Sequence, residues 1–449
     1  MRRQLHLNLF IHGRGHHESA WRHPAATPLA MTDLAYYQDL ARRAEDACFD
    51  AIFFADHLVL LPSEIAHAVQ GGLEPLTLLA ALATGTRRIG LVATASTSYT
   101  EPFNLARQFA SLDHISHGRV GWNIVTTWLA AASRNFGRDA PPGLEERYAQ
   151  AEDFLAVVTK LWDSWARDAV LDDRARGRFA RPDRVRRFDH HGPFYQVSGP
   201  LNVPRGPQGR PVLVQAGSSG TGKRFAARHA EVIFTAHLEQ GAAIAFRQEI
   251  RALAAGLGRD PEGVVILPGI SAAIGGTERE AQRIWDELNE SAAPEVGLER
   301  LSARFGGHDF SHLPLDRALS VDDFPPPAGV QAARSRAEVI TDLVARERPT
   351  LRALLHRLAA ARGHYTMAGT PEQVADVIEA WFRSGAADGF NVMPPILPAQ
   401  FEAFTSEVVP LLRRRGLFRE AYDSETLRGH LGLPEPANQF FGAEAEVLV

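Results

Sequence analysis

Cysteine is almost absent: Cys48 is the only one in 449 residues. That excludes a disulfide framework and a thiolate metal cluster. No apolar run reaches the ~18 residues of a membrane helix. The N-terminus, MRRQLHLNLF, is positively charged, but His6 and Asn8 interrupt its apolar residues and no small-residue cleavage site follows. It reads as no signal peptide, so a cytoplasmic location is expected. Positive charge is not in excess. Lysine and arginine total 48 against 53 acidic residues, for a net charge of −5. A dedicated nucleic-acid binder is usually basic, so that partner is not expected. Metal-ligand spacing is missing, as is the G-x-S-x-G turn of a nucleophilic serine. No carboxylate pair stands out for hydrolysis by protein side chains.

What remains is a large apolar inventory, 45% of the chain, sufficient for one extensive core. Eight apolar runs read as strands: Leu5–Ile11, Asp50–Ala55, Arg88–Thr94, Arg119–Val125, Pro211–Ala216, Glu231–Thr235, Gly263–Ile274 and Gly389–Met393. Helical patterns alternate with them. Leu34, Tyr37, Leu40, Ala41 and Ala44 recur at helical spacing after Thr32, a cap candidate. Leu144–Trp165 is a long helix pattern, and Thr370-Pro371-Glu372-Gln373 is a capping box. Eight such alternations predict an α/β fold, a (β/α)8 barrel, as a single domain over residues 1–449. Insertions are expected at about 166–210 and 291–363, and a C-terminal tail at about 416–449. The first insertion carries seven arginines between Arg174 and Arg187. A solvated surface loop is the plain reading; a docking surface for an acidic partner is the sharper one.

Pro211–His229, PVLVQAGSSGTGKRFAARH, has strand, glycine-rich turn and helix in succession. Backbone N–H groups at such a turn and the helix N-terminus make an anion site. Gly217, Gly222 and Lys223 fit part of the P-loop pattern, but Arg224 stands where Ser or Thr should hold magnesium. A barrel places its site at the C-terminal strand ends. The residues there are His12, Asp56, His57, Thr94, Ser96, Asn123, Thr126, Gly217–Ser219, Thr235, His237 and Asn391. Most are neutral hydrogen-bonding groups, suited to holding a polar cofactor that brings its own chemistry.

Several segments in order carry a resemblance: LNLFIHGRGHHESAWRHP from Leu7, FFADHL from Phe53, GLVATASTSYTEPFNL from Gly90, GRVGWNIVTTWLAAASRNFG from Gly118, VQAG from Val214 and GFNVMPP from Gly389. Together they resemble the luciferase-like flavin-dependent monooxygenases, in the branch that includes nitrilotriacetate, dibenzothiophene-sulfone and pristinamycin-oxidising enzymes. The resemblance implies a bacterial-luciferase-like (β/α)8 barrel. It implies FMN, bound as reduced FMNH2, a separate NAD(P)H:flavin reductase, O2, and a small organic substrate oxidised through a flavin hydroperoxide. It also implies a homo-oligomer, dimer or tetramer. Carried over by motif, the cofactor-binding positions are Asp56, Thr94, Asn123, Tyr148, Ser218 and Ser219. Leu144 departs from the pattern, since relatives often have His four residues before the tyrosine. His57 replaces a common Gly, and His237 a common Gln.

Phe10, Phe54, Trp122 and Trp128 are candidates to line a water-excluding pocket. His16, His17, His57, His237 and His364 are candidate proton carriers, with His364 singled out as the catalytic candidate where the insertion rejoins the barrel. Two other readings stay open: a non-catalytic flavin-binding protein on the same fold, and a deazaflavin-dependent oxidoreductase.

Overall fold

The computed structural model describes residues 3–67, 69, 72–217, 219–326, 334–361 and 363–442. The eight expected strands are present: β1 His6–Ile11, β2 Ala51–Phe54, β3 Gly90–Ser96, β4 Val120–Val125, β5 Val212–Gln215, β6 Val232–Thr235, β7 Val265–Ile274 and β8 Gly389–Val392. Neighbours pair in parallel in chain order through β7 and β8, and β8 pairs back with β1. The ring is therefore closed. An extra strand, Tyr365–Gly369, pairs with the C-terminal half of β7.

Side chains alternate between the two faces of each strand. Leu7, Leu9 and Ile11 face the outer helices, together with Ile52, Phe54, Leu91 and Trp122. Phe10, Phe53, Val92, Val212, Val214, Val232, Phe234, Val265 and Leu267 form a separate cluster that fills the lumen. This corrects two pocket candidates. Phe54 and Trp122 belong to the outer core, where Trp122 packs on Phe109, Phe154 and Trp162 and donates its indole N–H to Ala95 O at 3.1 Å. Phe53, one position earlier than Phe54, is the inward residue.

The base of the barrel is closed by the C-terminal tail. A short helix, Leu427–His430, carries Leu427 into the lumen cluster with Leu431 and Leu433. Glycine makes the room: a Cβ on Gly90 would lie 2.4 Å from Leu427 Cδ1. Carboxylates at this end are paired with arginine. Asp388, immediately before β8, accepts from Arg247 Nη2 at 2.7 Å and from Ile266 N at 3.0 Å. Burial opposes ionisation of Asp50, but Arg419 and His6 outweigh it and hold its carboxyl below the usual range.

The first insertion forms two antiparallel hairpins, Val170–Asp173 with Arg178–Ala180 and Phe188–His191 with Gln196–Gly199. Its arginines pair locally, Arg181 and Arg184 with Asp168 and Arg176 with Asp173, and Arg184 stacks on Phe441 of the tail. None of these contacts belongs to the strand-end site. Among the described residues the second insertion holds three α-helices, Pro294–Arg304, Arg334–Glu347 and Leu351–Ala361, with a core of their own around Phe305, Phe310 and Leu354. The cap before Leu34–Asp46 is Asp33, which accepts from Ala35 N at 2.9 Å, not Thr32. Thr370 and Gln373 form the expected capping box.

Candidate active site

The upper lumen is sealed by three inward aromatic rings. Phe10 lies 4.6 Å from Phe53 and 5.6 Å from Phe234, both edge-on. Above them stand histidines. His364 stacks on Phe234 with centroids 4.8 Å apart and planes 6° off parallel. Gly269 in β7 permits this, because a Cβ there would lie 2.4 Å from His364 Nδ1. His16 packs 4.5 Å from Phe10, with its Nε2 2.9 Å from Phe10 O. His12 lies between His16 and His57, at 5.5 and 5.4 Å. The structure thus brings His364, from the end of an insertion, onto the barrel mouth beside residues of β1, β6 and β7.

Along β3 and β4 the expected polar positions meet. Thr94 and Asn123 are register partners. Thr94 donates to Phe54 O at 2.8 Å, and its hydroxyl accepts from Asn123 Nδ2 at 2.8 Å. Asn123 Oδ1 is buried and unpartnered. Gln215 Oε1, at the end of β5, is likewise buried and unpartnered. Buried amide oxygens normally find a donor, so this wall offers two acceptors to a ligand that donates hydrogen bonds. Gln215 was missed in the sequence because it sits inside an apolar strand run.

The turn after β5 forms the second part. Ser219 caps helix Gly220–His229, its hydroxyl accepting from Gly222 N at 3.1 Å. Tyr148, in helix Leu144–Asp163, directs its hydroxyl toward Thr126, Ser219 and Gln215. Burial pushes that phenol above its usual value, and these hydrogen bonds oppose the push. A Cβ on Gly217 or Gly222 would come within 2.8 or 2.7 Å of the Tyr148 hydroxyl. Only glycine leaves this cradle open. Ser218 lies outside the described residues. Lys223 turns away from the cradle, bonding Glu249 at 2.7 Å and lying over Phe246.

Three further residues change their reading. Arg147, beside Tyr148, is buried; one of its amino groups donates to Thr127 O at 3.3 Å, its Nε has no partner, and burial pushes its guanidinium down. A cation so placed favours an anion nearby. Its one sequence signal was the E-R-Y motif it shares with Tyr148. His17 is buried against Asn289 and Ser19, and burial presses it down to about 4, so it is a neutral structural group. Asn391 is not at the mouth. It lies within the lumen beside Asn8, lining a void of about 10 Å³. Asp56 is half-buried at the end of β2, where burial and then Glu74 raise its carboxyl to about 6. Among the described residues no group of three or more His, Cys, Asp or Glu could hold a metal ion. No helix among them is long and apolar enough to cross a membrane.

Residues 14–388 match the family described as luciferase-like monooxygenase. The chain is 45% identical to N-acetyl-S-(2-succino)cysteine monooxygenase of Bacillus subtilis (strain 168), over 98% of this chain and 99% of that one. It is 43% identical to nitrilotriacetate monooxygenase component A of Aminobacter aminovorans, over 97% and 98%. Among solved structures, a riboflavin lyase crystallised with modified FMN and riboflavin superposes with a TM-score of 0.86 at 33% identity, covering 96% of this chain and 97% of that one. A closed parallel barrel, a polar wall on β3 to β5 and full-length kinship lead to one conclusion: the chain belongs to the luciferase-like monooxygenases and is an oxygenase.

Proposed function

We propose that this protein is the oxygenase component of a two-component system. It takes reduced FMN from a separate NAD(P)H:flavin reductase and uses O2 to oxidise a small organic substrate. The observation that carries this reading is the pairing of two unlike features on one barrel mouth. One is a glycine-lined cradle with Ser219 and Tyr148 hydroxyls, suited to a phosphate. The other is a wall of unpartnered amide oxygens, Asn123 Oδ1 and Gln215 Oε1, suited to ring N–H groups. FMN presents both chemistries, so the residues fit it.

When bound, the reduced flavin supplies the electrons that let one atom of O2 enter the substrate while the other leaves as water. The chain's own residues do the rest. Ser219, Tyr148 and the backbone of the turn hold the phosphate end. Thr94 fixes the Asn123 side chain so that its oxygen stays turned to the site. Asp56 contributes a carboxyl poised near neutrality on the β2 side. Phe10, Phe53 and Phe234 exclude water from below, which protects reactive species from side reactions. His364, held flat on Phe234, presents an imidazole able to carry a proton at the mouth.

The relatives' names include a succinylated cysteine, a tricarboxylate and riboflavin. The test supplies reduced FMN through a purified reductase under ¹⁸O2 and looks for one labelled atom in the product. Label incorporation that requires FMN is the expected result. Tight FMN binding with no oxygenation of any compound in a broad panel would sink the reading in favour of a flavin carrier. Binding of a deazaflavin but not FMN would sink it in favour of a hydride-transferring oxidoreductase.

A further inference from the structure

The first insertion holds a hairpin, Val170–Asp173 with Arg178–Ala180, that has no core of its own. No residue from Val170 to Ala180 is buried. Val170 and Leu171 are 40% and 42% exposed, and as neighbours in one strand they point to opposite faces. Phe179, in the other strand, is 62% exposed. A two-stranded ribbon alone in water is marginal, and apolar side chains clustered on an exposed surface mark a contact. The ribbon is also basic. Residues 167–187 hold eight arginines against four aspartates, in a chain whose net charge is −5. The surplus here is four positive charges, and the rest of the chain carries −9. Arg178 stands opposite Asp173, but Asp173 pairs with Arg176 at 3.0 Å, and Arg178 has no ion pair among the described residues.

A complementary surface lies across the barrel. Among the described residues the extra strand Tyr365–Gly369 pairs on one edge only, with β7. An open groove of about 680 Å³ lies against it. Met367, Ala368 and Val377 give its apolar lining, and Glu278, Arg279 and Asp376 its charged one. Two helices flank it: Glu278–Glu290 has five carboxylates against two arginines, and Pro371–Arg383 three against one. Asp376 bonds Arg415 at 2.7 Å yet stays exposed. The groove thus joins an acidic rim, an apolar floor and a strand edge with no strand beside it. The ribbon follows the helix between β4 and β5, whereas the groove lies beyond β7, so a chain cannot fill its own groove.

We propose that the ribbon of one copy docks in the groove of a second copy of this chain. Strand Arg178–Ala180 lies along the free edge of Tyr365–Gly369, as an added strand extends a sheet. Alternation then turns Phe179 toward Val377 on one flanking helix and Arg178 toward Glu278 on the other. Charge steers the approach, and apolar burial holds the contact. The two surfaces are unlike, so two copies exchange both contacts or a ring of copies closes. This inference concerns assembly and stands apart from flavin and substrate.

The test uses the full-length protein. Sedimentation velocity over a concentration series compares wild type, F179S and R176E/R178E, with folding checked by circular dichroism. The wild type is expected to self-associate. Each ribbon variant should weaken association by roughly tenfold or more, as loss of an interface anchor does. Raising salt from about 0.05 to about 0.5 M should weaken the wild type and scarcely move R176E/R178E, because screening acts on charge pairs. A second measurement locates the contact. The chain has only two lysines, Lys160 and Lys223, which bond His190 and Glu249. R178K adds an amine to the ribbon and keeps its charge. A carbodiimide, which links an amine to a carboxylate, is applied to a mixture of ¹⁴N and ¹⁵N copies, and mass spectrometry reads the bridges. Bridges between copies from position 178 to Glu278, Glu372 or Asp376 are expected. A wild type that stays monomeric at every concentration overturns the proposal. So do ribbon variants that assemble like wild type, and bridges from position 178 that fall within one copy or outside 278–290 and 371–383. Capture of the flavin reductase or of a nucleic acid by the ribbon of a monomeric chain gives the surface to another partner and overturns it equally.

Discussion

Asp56 closes β2 at the site, and its environment disfavours its charge. Burial, then repulsion from Glu74, raises its carboxyl from 3.8 to about 6. In the unfolded chain the group ionises near its ordinary value. Below about pH 4 it is protonated in both states and contributes no penalty. As pH rises from about 4 to about 6, the unfolded chain ionises first and the folded state loses stability. Above about 6 the loss is constant. D56N keeps the shape and removes the titration. Two units correspond to at most ~3 kcal/mol at 1.36 kcal/mol each. Asp56 still reaches solvent, so screening reduces this to roughly 1–2 kcal/mol. At ~2.1 cal/mol/K per residue, a chain this long has an unfolding entropy of ~0.9 kcal/mol/K. D56N should therefore melt about 1–2 °C above wild type at pH 8, with the gap shrinking toward zero near pH 4. Scanning calorimetry of the flavin-free protein between pH 4.5 and 8 reads this directly. FMN affinity should fall in the same variant, since the proposed flavin site includes Asp56. A gap independent of pH, or one that widens as the solution is acidified, would refute the argument.

Y148F and S219A should each weaken FMN binding by roughly tenfold, about the value of one hydrogen bond to an anion, as read by flavin fluorescence titration. S219A also removes a helix cap and should lower the melting temperature by about 1 °C, from ~1 kcal/mol; unchanged FMN affinity in both variants would remove the cradle. G269A would place a methyl 2.4 Å from His364 Nδ1 and 2.6 Å from Met393 Sδ. Overpacking of ~1–3 kcal/mol is expected, with turnover falling more than tenfold while FMN affinity holds; full turnover would show that the His364 position is irrelevant. D388N should cost ~3–5 kcal/mol by stranding Arg247, yet leave FMN affinity unchanged, because Asp388 lies at the opposite end of the barrel. Loss of FMN binding in a folded D388N would contradict that separation.

All eight strands were legible, because a strand buried on both faces leaves an apolar run that turn residues bound clearly. Which face points inward was not legible. Phe53 and Phe54 are chemically identical in the sequence, and only ring closure assigns one to the lumen and the other to the helices. Trp122 misled for the same reason. Motif transfer named Thr94, Asn123, Tyr148 and Ser219, whose side chains the fold gathers on one side of the mouth. It could not find Gln215, hidden in an apolar strand, or the stack of His364 on Phe234, which joins residues 130 positions apart.

The two ends of the barrel treat their carboxylates differently. At the base, Asp50, Asp163 and Asp388 each face guanidinium groups, and the tail covers them. At the mouth, Asn123 Oδ1, Gln215 Oε1 and Arg147 Nε are buried with no partner, and Asp56 holds a raised carboxyl. Each unmet group costs the empty protein stability, since a buried donor or acceptor left alone loses its hydration without replacement. Unpartnered atoms occur at the base as well, among them Arg419 Nε and Nη1 and Arg428 Nε, but those guanidiniums are already paired through another nitrogen. At the mouth the two amide oxygens on β4 and β5 lie near the cradle formed with Tyr148. A ligand that meets them recovers what the empty fold gives up, so binding should stabilise the mouth far more than the base. Hydrogen exchange on adding FMN would therefore show protection concentrated at the ends of β3, β4 and β5, with residues 427–433 unchanged. Uniform protection, or protection centred on the tail, would mean that the unmet groups are not where the flavin binds.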